Sequence, residues 1–218
     1  MKEFRIPVRR SARYYTLGEP SDRIRAVWIV LHGYGQLGAT FIKAFEELDN
    51  GRNLIVAPEA LSRFYTDGFV GNVGATWMTK EDRLAEIEDQ RNYLDALYRI
   101  VTHPLPEDVI VNVLGFSQGT ATVCRWMTQT KYRVDNMLLW AGQLPPDLGD
   151  LNALKKLNCY YVYGTRDPFL TDEGTEKMQK ELQQSGLHFN TLTFDGKHHI
   201  NSETLAQLDK VLAHAAVS

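Results

Sequence analysis

The stretch "VNVLGFSQGTATV", Val111 to Val123, is the point from which the rest of the chain is read. A run of strand formers ends at Gly115, a single serine follows at position 117, and after Gly119 the chain can re-enter regular structure. Gly115-Phe116-Ser117-Gln118-Gly119 fits the pattern G-x-S-x-G, but glycine and serine are common and the pattern alone is weak. The context gives it content. "DVIVNVL" before it reads as a strand and "QGTATVCRWMT" after it can form a helix. A strand-to-helix turn that exposes a serine is too tight for side chains on either side, which explains both glycines.

Working outward, apolar runs recur at 25–31, 53–57, 108–114, 136–140, 159–163 and 189–194. Such runs fit strands covered on both faces. Helical patterns lie between them. In Thr79 to Val101, Thr79 and Asp82 read as a capping box, and Leu84, Ile87, Leu94, Leu97 and Val101 keep one face apolar. A helix before Gly186 ends on that glycine, and a last helix carries Leu205, Leu208 and Leu212 on one face. The expectation is an α/β fold: one domain over residues 1–218, with a mostly parallel central sheet, helices on both faces and no separate cap domain. "FRIPVRR…ARYYTLG" reads as an antiparallel hairpin at one edge. Pro58 to Trp77, glycine-rich, aromatic and without periodicity, reads as a long functional loop bounding a shallow, open site.

A serine hydroxyl becomes a nucleophile only when a base takes its proton, and an acid must hold that base in one tautomer. On a parallel sheet the partners belong beyond the carboxyl ends of later strands, in the order Ser, Asp or Glu, His. Asp167 follows the run 159–163, and His198 and His199 follow the run 189–194. Asp167 precedes Pro168 and on its own would pass for a turn aspartate. Asp195, three residues from His198, is the rival acid. Only one of the adjacent histidines can be the base. A developing oxyanion needs two donors. The backbone N–H of Gln118 at the helix start is one, and that of Tyr34 in "LHGYGQ", directly after the run 25–31, is the other. His32 reads as a hydrogen-bonded core or loop residue rather than a second base. Cys124 and Cys159 read as small buried hydrophobes.

In these motifs the chain resembles the phospholipase/carboxylesterase group of α/β-hydrolases, relatives of the acyl-protein thioesterases. "LHGYGQ", "GATWM", "GFSQGT", "GTRDPFL" and "FDGKHHI" carry the resemblance, in that order. It implies the α/β-hydrolase fold, with Ser117 as nucleophile, Asp167 as acid and His198 as base. It further implies an oxyanion hole at Tyr34 and Gln118, and Trp77 lining the acyl pocket. The family frame of phenylalanine, any residue, glycine, any residue, histidine fits Phe194 to His198 and so selects the first histidine. Two positions depart from the family. Thr120 stands where another small residue is usual, and "PFLT" follows Asp167 in place of valine-proline.

The expected activity is therefore a cofactor-independent serine hydrolase of the carboxylesterase or thioesterase kind, acting on a small-molecule ester or thioester. A non-catalytic binding protein on the same fold is the alternative, although it would need no base held by an acid. Twenty-four basic against 27 acidic residues leave no electrostatic footprint for nucleic acid. No window approaches the length of an apolar membrane span. Histidine spacing fits no metal site. The N-terminus lacks the apolar core of a secretory signal, and two cysteines make no disulfide framework, so the cytoplasm is the expected location. No sequence feature specifies an oligomeric state.

Overall fold

In the computed structural model, which describes residues 1–170, 172–184 and 186–215, the chain opens on β1 (Tyr14–Leu17) and β2 (Ala26–Leu31). There follow α1 (Gly38–Phe41), a 3-10 helix (Ile42–Leu48), β3 (Asn53–Pro58), β4 (Ser62–Tyr65), β5 (Val73–Thr76) and α2 (Arg83–Thr102). The second half comprises β6 (Ile110–Phe116), α3 (Gln118–Met127), β7 (Asn136–Trp140), a 3-10 helix (Leu151–Lys156) and β8 (Asn158–Gly164). It closes with α4 (Asp172–Gln184), β9 (Phe189–Phe194) and α5 (Ser202–Ala215).

The six apolar runs become six neighbouring parallel strands, in the order β3-β2-β6-β7-β8-β9, and β1 adds antiparallel to β3 at one edge. Burial on both sides is why these strands read as continuous apolar runs: every residue of β2, β3 and β7 is buried. Alternate side chains feed two cores. Val27, Ile29 and Leu31 pack with Val111 and Val113 towards Leu94, Leu97 and Trp126 of α2 and α3. Trp28, Val30 and Leu114 pack on the other face with Phe45, Leu205 and Leu208. The sheet is thus covered on both faces, as an α/β-hydrolase fold requires.

One polar device crosses the sheet near the amino ends of its central strands. Asn112 of β6, Asn136 of β7 and Asn158 of β8 stand side by side in register. The Asn136 amide donates to Asn112 Oδ1 at 2.7 Å, and the Asn158 amide donates to Asn136 Oδ1 at 3.1 Å. Asn112 and Asn136 are buried, so each bond offsets the desolvation of its own amides.

Three expectations need correction. The opening hairpin does not form: only Tyr14–Leu17 is a strand, and no strand includes Phe4 to Arg10. Pro7 has no N–H for a ladder, and Arg5 instead bonds the Asp82 carboxylate. The segment 58–77 is not an irregular loop, because β4 and β5 pair antiparallel within it. Buried Glu59 fastens its base, accepting hydrogen bonds from Arg13 and Arg63. The helix expected from Thr79 begins at Arg83, and its cap is not the Thr79–Asp82 box. Asp82 takes a left-handed φ of 46°, and the Thr79 N–H donates to Glu86 at 2.6 Å. Among the described residues no helix is long and apolar enough to cross a membrane.

Candidate active site

Ser117 occupies the turn between β6 and α3 with φ 54° and ψ −116°. A non-glycine residue held there costs on the order of 1–3 kcal/mol, which the surroundings must supply. They do so by tight packing. A Cβ added at Gly115 would lie 2.5 Å from the Gly119 carbonyl oxygen, and one at Gly119 would lie 2.8 Å from that of His32. Both glycines are therefore required by close backbone approach. The Ser117 N–H donates to the Trp140 carbonyl at 2.9 Å, tying the turn to the end of β7. Thr120, the departure noted above, is accommodated: its buried hydroxyl donates to the Gly115 carbonyl at 3.0 Å.

Beyond the ends of β8 and β9 the structure brings Asp167 and His198 together. His198 Nδ1 donates to Asp167 Oδ2 at 2.7 Å, and the Phe169 N–H donates to the other carboxylate oxygen at 2.9 Å. The Asp167 side chain is fully buried. The His198 ring lies between Phe116, the residue before Ser117, and Phe169, with centroid distances of 4.8 and 4.7 Å. Asp195 is elsewhere: it is exposed and pairs with Arg166 at 2.7 Å. His199 is exposed and turns its ring onto Phe194, 5.3 Å away.

The loop after β2 runs against the serine, since a side chain on Gly33 would come within 3.2 Å of Ser117 Cβ. Neighbouring N–H groups of this loop are already committed. That of Gly33 donates to Gln36 Oε1 at 2.8 Å, and that of Gly35 to the Ala75 carbonyl at 2.9 Å. Among the described residues, the N–H groups of Tyr34 and Gln118 have no such partner. The Tyr34 side chain itself points out, 63% exposed, and lies on Phe64 at 5.1 Å.

The side chain of Gln118 has a task that motif reading did not foresee. Its Oε1 accepts from Trp77 N–H at 3.1 Å, and its Nε2 donates to the Met78 carbonyl at 3.0 Å. It clamps the end of β5 to the start of α3. The Trp77 side chain is completely buried, and its indole donates to the His32 carbonyl at 2.8 Å. Trp77→Ala is expected to cost about 3–5 kcal/mol of stability and to leave the ratio of rates on short and long acyl esters unchanged. Denaturant unfolding beside a chain-length series checks both.

His32 is buried and spends both ring nitrogens. Nδ1 donates to the Gly33 carbonyl at 2.7 Å, and Nε2 accepts the Ala60 N–H at 3.1 Å. Burial holds its pKa below the usual histidine value, and the Gly33 carbonyl and Glu59 oppose this only in part. The unfolded chain therefore takes up a proton that the native ring refuses. The His32 contribution is intact above about pH 6.5 and declines as the pH falls through that value. Unfolding free energies at pH 7 and pH 5, in wild type and His32→Gln, are expected to show the fall in wild type and less of it in the variant.

Trp140 joins the two halves of the site. Its carbonyl takes the Ser117 N–H, and its indole donates to the His199 carbonyl at 3.0 Å. No periodicity or motif marks it, because a buried tryptophan at a strand end looks like any core residue. Beside His198 a cleft of about 550 Å³ opens, floored by Leu37, Phe41, Phe116 and Ile200. Of the segment 58–77 only Asn72 and Val73 reach it. Among the described residues no group of three histidine, cysteine, aspartate or glutamate side chains is placed to hold a metal.

A strained serine elbow at the carboxyl edge of a parallel sheet, with a carboxylate and a histidine following the second and third strands beyond it, is the architecture of the α/β-hydrolases. More narrowly, the chain belongs to the phospholipase/carboxylesterase family of hydrolases, whose family model matches residues 13–216. Over 205 residues it is 23% identical to acyl-protein thioesterase 1 homolog 1 of Dictyostelium discoideum, covering 86% of this chain and 89% of that one. Among solved structures it resembles acyl-protein thioesterase 2 of Zea mays, with TM-score 0.68 and 18% identity over 94% of this chain and 100% of the other. It also resembles the Bacillus cereus carboxylesterase, with TM-score 0.68 and 12% identity over 94% of each chain.

Proposed function

We propose that this chain, read as one hydrolase domain over residues 1–218, is a cofactor-independent serine esterase cleaving small-molecule carboxylic esters or thioesters. The single observation that supports this best is the 2.7 Å bond from His198 Nδ1 to buried Asp167, with the His198 ring packed on Phe116, the residue before a serine held at φ 54°. With Nδ1 so engaged, Nε2 is the nitrogen free to take the Ser117 proton. Ser117 Oγ then attacks the acyl carbon, and the N–H groups of Tyr34 and Gln118 stabilise the oxyanion. The same histidine activates the water that releases the acid. Two buried thiols, Cys124 and Cys159, fit a reducing cytoplasm.

The test is labelling with a fluorescent fluorophosphonate. Wild-type protein is expected to label and Ser117→Ala not to. A folded wild type that fails to label would make the chain a binding protein on a hydrolase fold. The acid is tested separately. Asp167→Asn is expected to lower turnover by roughly 10⁴ with substrate binding largely kept. Asp195→Asn, which only frees Arg166 at the surface, serves as the control. Steady-state kinetics on one activated ester compares the two, and a dead Asp195→Asn enzyme would reverse the assignment.

A further inference from the structure

We infer that the cleft beside His198 receives the leaving group of the substrate, and that this group is an uncharged, ring-sized apolar alcohol or thiol. The inference rests on the esterase reading above. In acyl transfer the base that takes the serine proton must hand it on. Ser117 Oγ bonds to the acyl carbon, and the bond from that carbon to the leaving oxygen or sulfur breaks. The leaving atom keeps the electron pair and takes the proton from Nε2 of His198, departing neutral. Water then repeats the sequence and carries off the acid.

That relay places the leaving atom within hydrogen-bond reach of His198, at about 3 Å. Whatever is attached to it lies in the space that opens on the imidazole. The cleft opens there. His198 forms part of its wall, and it continues past His199 and Ile200 to α1 and the first 3-10 helix, where Thr40 and Ala44 face it. A volume of about 550 Å³ falls within the range of small-molecule pockets and exceeds what a methyl or ethyl group would fill.

Its chemistry narrows the occupant. The rings of Phe41 and Phe116 stack at 5.8 Å and form an aromatic floor, with Leu37 and Ile200 beside them. At the rim stand the neutral groups of Gln36, Thr40 and Asn72. Among the described residues lining the cleft there is no lysine, arginine, aspartate or glutamate. An anionic leaving group would lose its hydration against two phenylalanines, with no fixed cation in return beyond the imidazoles of His198 and exposed His199. An apolar ring would gain the area it buries.

The experiment holds the acyl group constant and varies the alcohol, using phenyl acetate, 2-naphthyl acetate and 2-naphthyl acetate carrying a ring sulfonate. Ala44→Trp and, independently, Thr40→Trp fill the cleft from exposed positions. Lys43→Trp, exposed on the same 3-10 helix and outside the cleft, is the control. Wild type is expected to favour the neutral naphthyl ester over its sulfonate by about tenfold or more in kcat/KM. Either filling variant is expected to lower the naphthyl-to-phenyl ratio by about tenfold and to leave the ratio between phenyl acetate and phenyl octanoate unchanged. The control is expected to follow wild type.

A shift in the acyl-chain ratio instead would make the cleft the acyl site. Equal turnover of the neutral and sulfonated esters would overturn the stated chemistry. A naphthyl-to-phenyl ratio unchanged in both filling variants would remove the cleft from the substrate path. Fluorophosphonate labelling of the wild-type sample, run first, distinguishes all of these from a failure of the esterase reading itself.

Discussion

Ser117→Ala is expected to lower ester turnover by on the order of 10⁴ or more while leaving the fold intact, because members of a catalytic triad act as a unit. The substitution removes one oxygen and keeps the Cβ, so the backbone at φ 54° meets the same neighbours. The Ser117 N–H bond to Trp140 and the packing of Gly115 on Gly119 involve no side-chain oxygen. Melting temperature should stay near that of wild type. Turnover near wild type in a folded variant would end the serine-esterase proposal.

The second large effect separates two adjacent histidines. His198→Ala is expected to cost on the order of 10⁴ or more in turnover. His199→Ala is expected to stay within about tenfold of wild type, or roughly 1.4 kcal/mol. The geometry motivates the difference. His198 bonds a buried carboxylate and sits between two phenylalanine rings, whereas the His199 ring is exposed and rests on Phe194. What His199 contributes to holding the loop is its backbone carbonyl, the acceptor for the Trp140 indole, and alanine keeps that carbonyl. Kinetics of both variants on one activated ester decide the matter. An inactive His199→Ala enzyme would shift the base by one residue.

The legible parts of this chain were those where one local pattern had a single physical solution. Continuous apolar runs such as Arg25 to Leu31 fit strands covered on both faces, and the six of them formed parallel neighbours. The meeting of Asp167 with His198 was within reach of the sequence because a parallel sheet delivers successive strand ends to one edge. Misreadings arose where a local signal met a distant partner. Phe4 to Arg10 alternates like a strand, yet Pro7 breaks its ladder and Asp82 captures Arg5. That same Asp82 was then not available to cap the following helix. Trp77 stood in a family motif, but the motif does not say which way the indole turns, and here the His32 carbonyl takes it inward. Trp140 showed only as the last residue of the apolar run 136–140, with nothing to mark its role at the site. Its two bonds reach loops far away in sequence, and only the assembled sheet brings them to it.

The asparagines at the opposite end of the sheet bear on the site from a distance. Apolar strands packed on both faces can trade one alignment for another at modest cost, since one valine replaces the next. Buried amides cannot. Sliding β7 by a single position against β6 or β8 would shift it by about 3.3 Å and turn its side chains to the other face. The amide of Asn136 would then be stranded between neighbours with nothing to offer it. Buried polar pairing of this kind discriminates between alternatives more than it adds to stability. Its effect is vertical alignment. With Asn112, Asn136 and Asn158 level at one end, Phe116, Trp140 and Val162 are level near the other, and β8 runs two residues further to Gly164, so the loops bearing Ser117 and Asp167 begin at a fixed offset. An error of one step there would exceed the length of a hydrogen bond, so the three amides act as the datum from which the far edge of the sheet is measured.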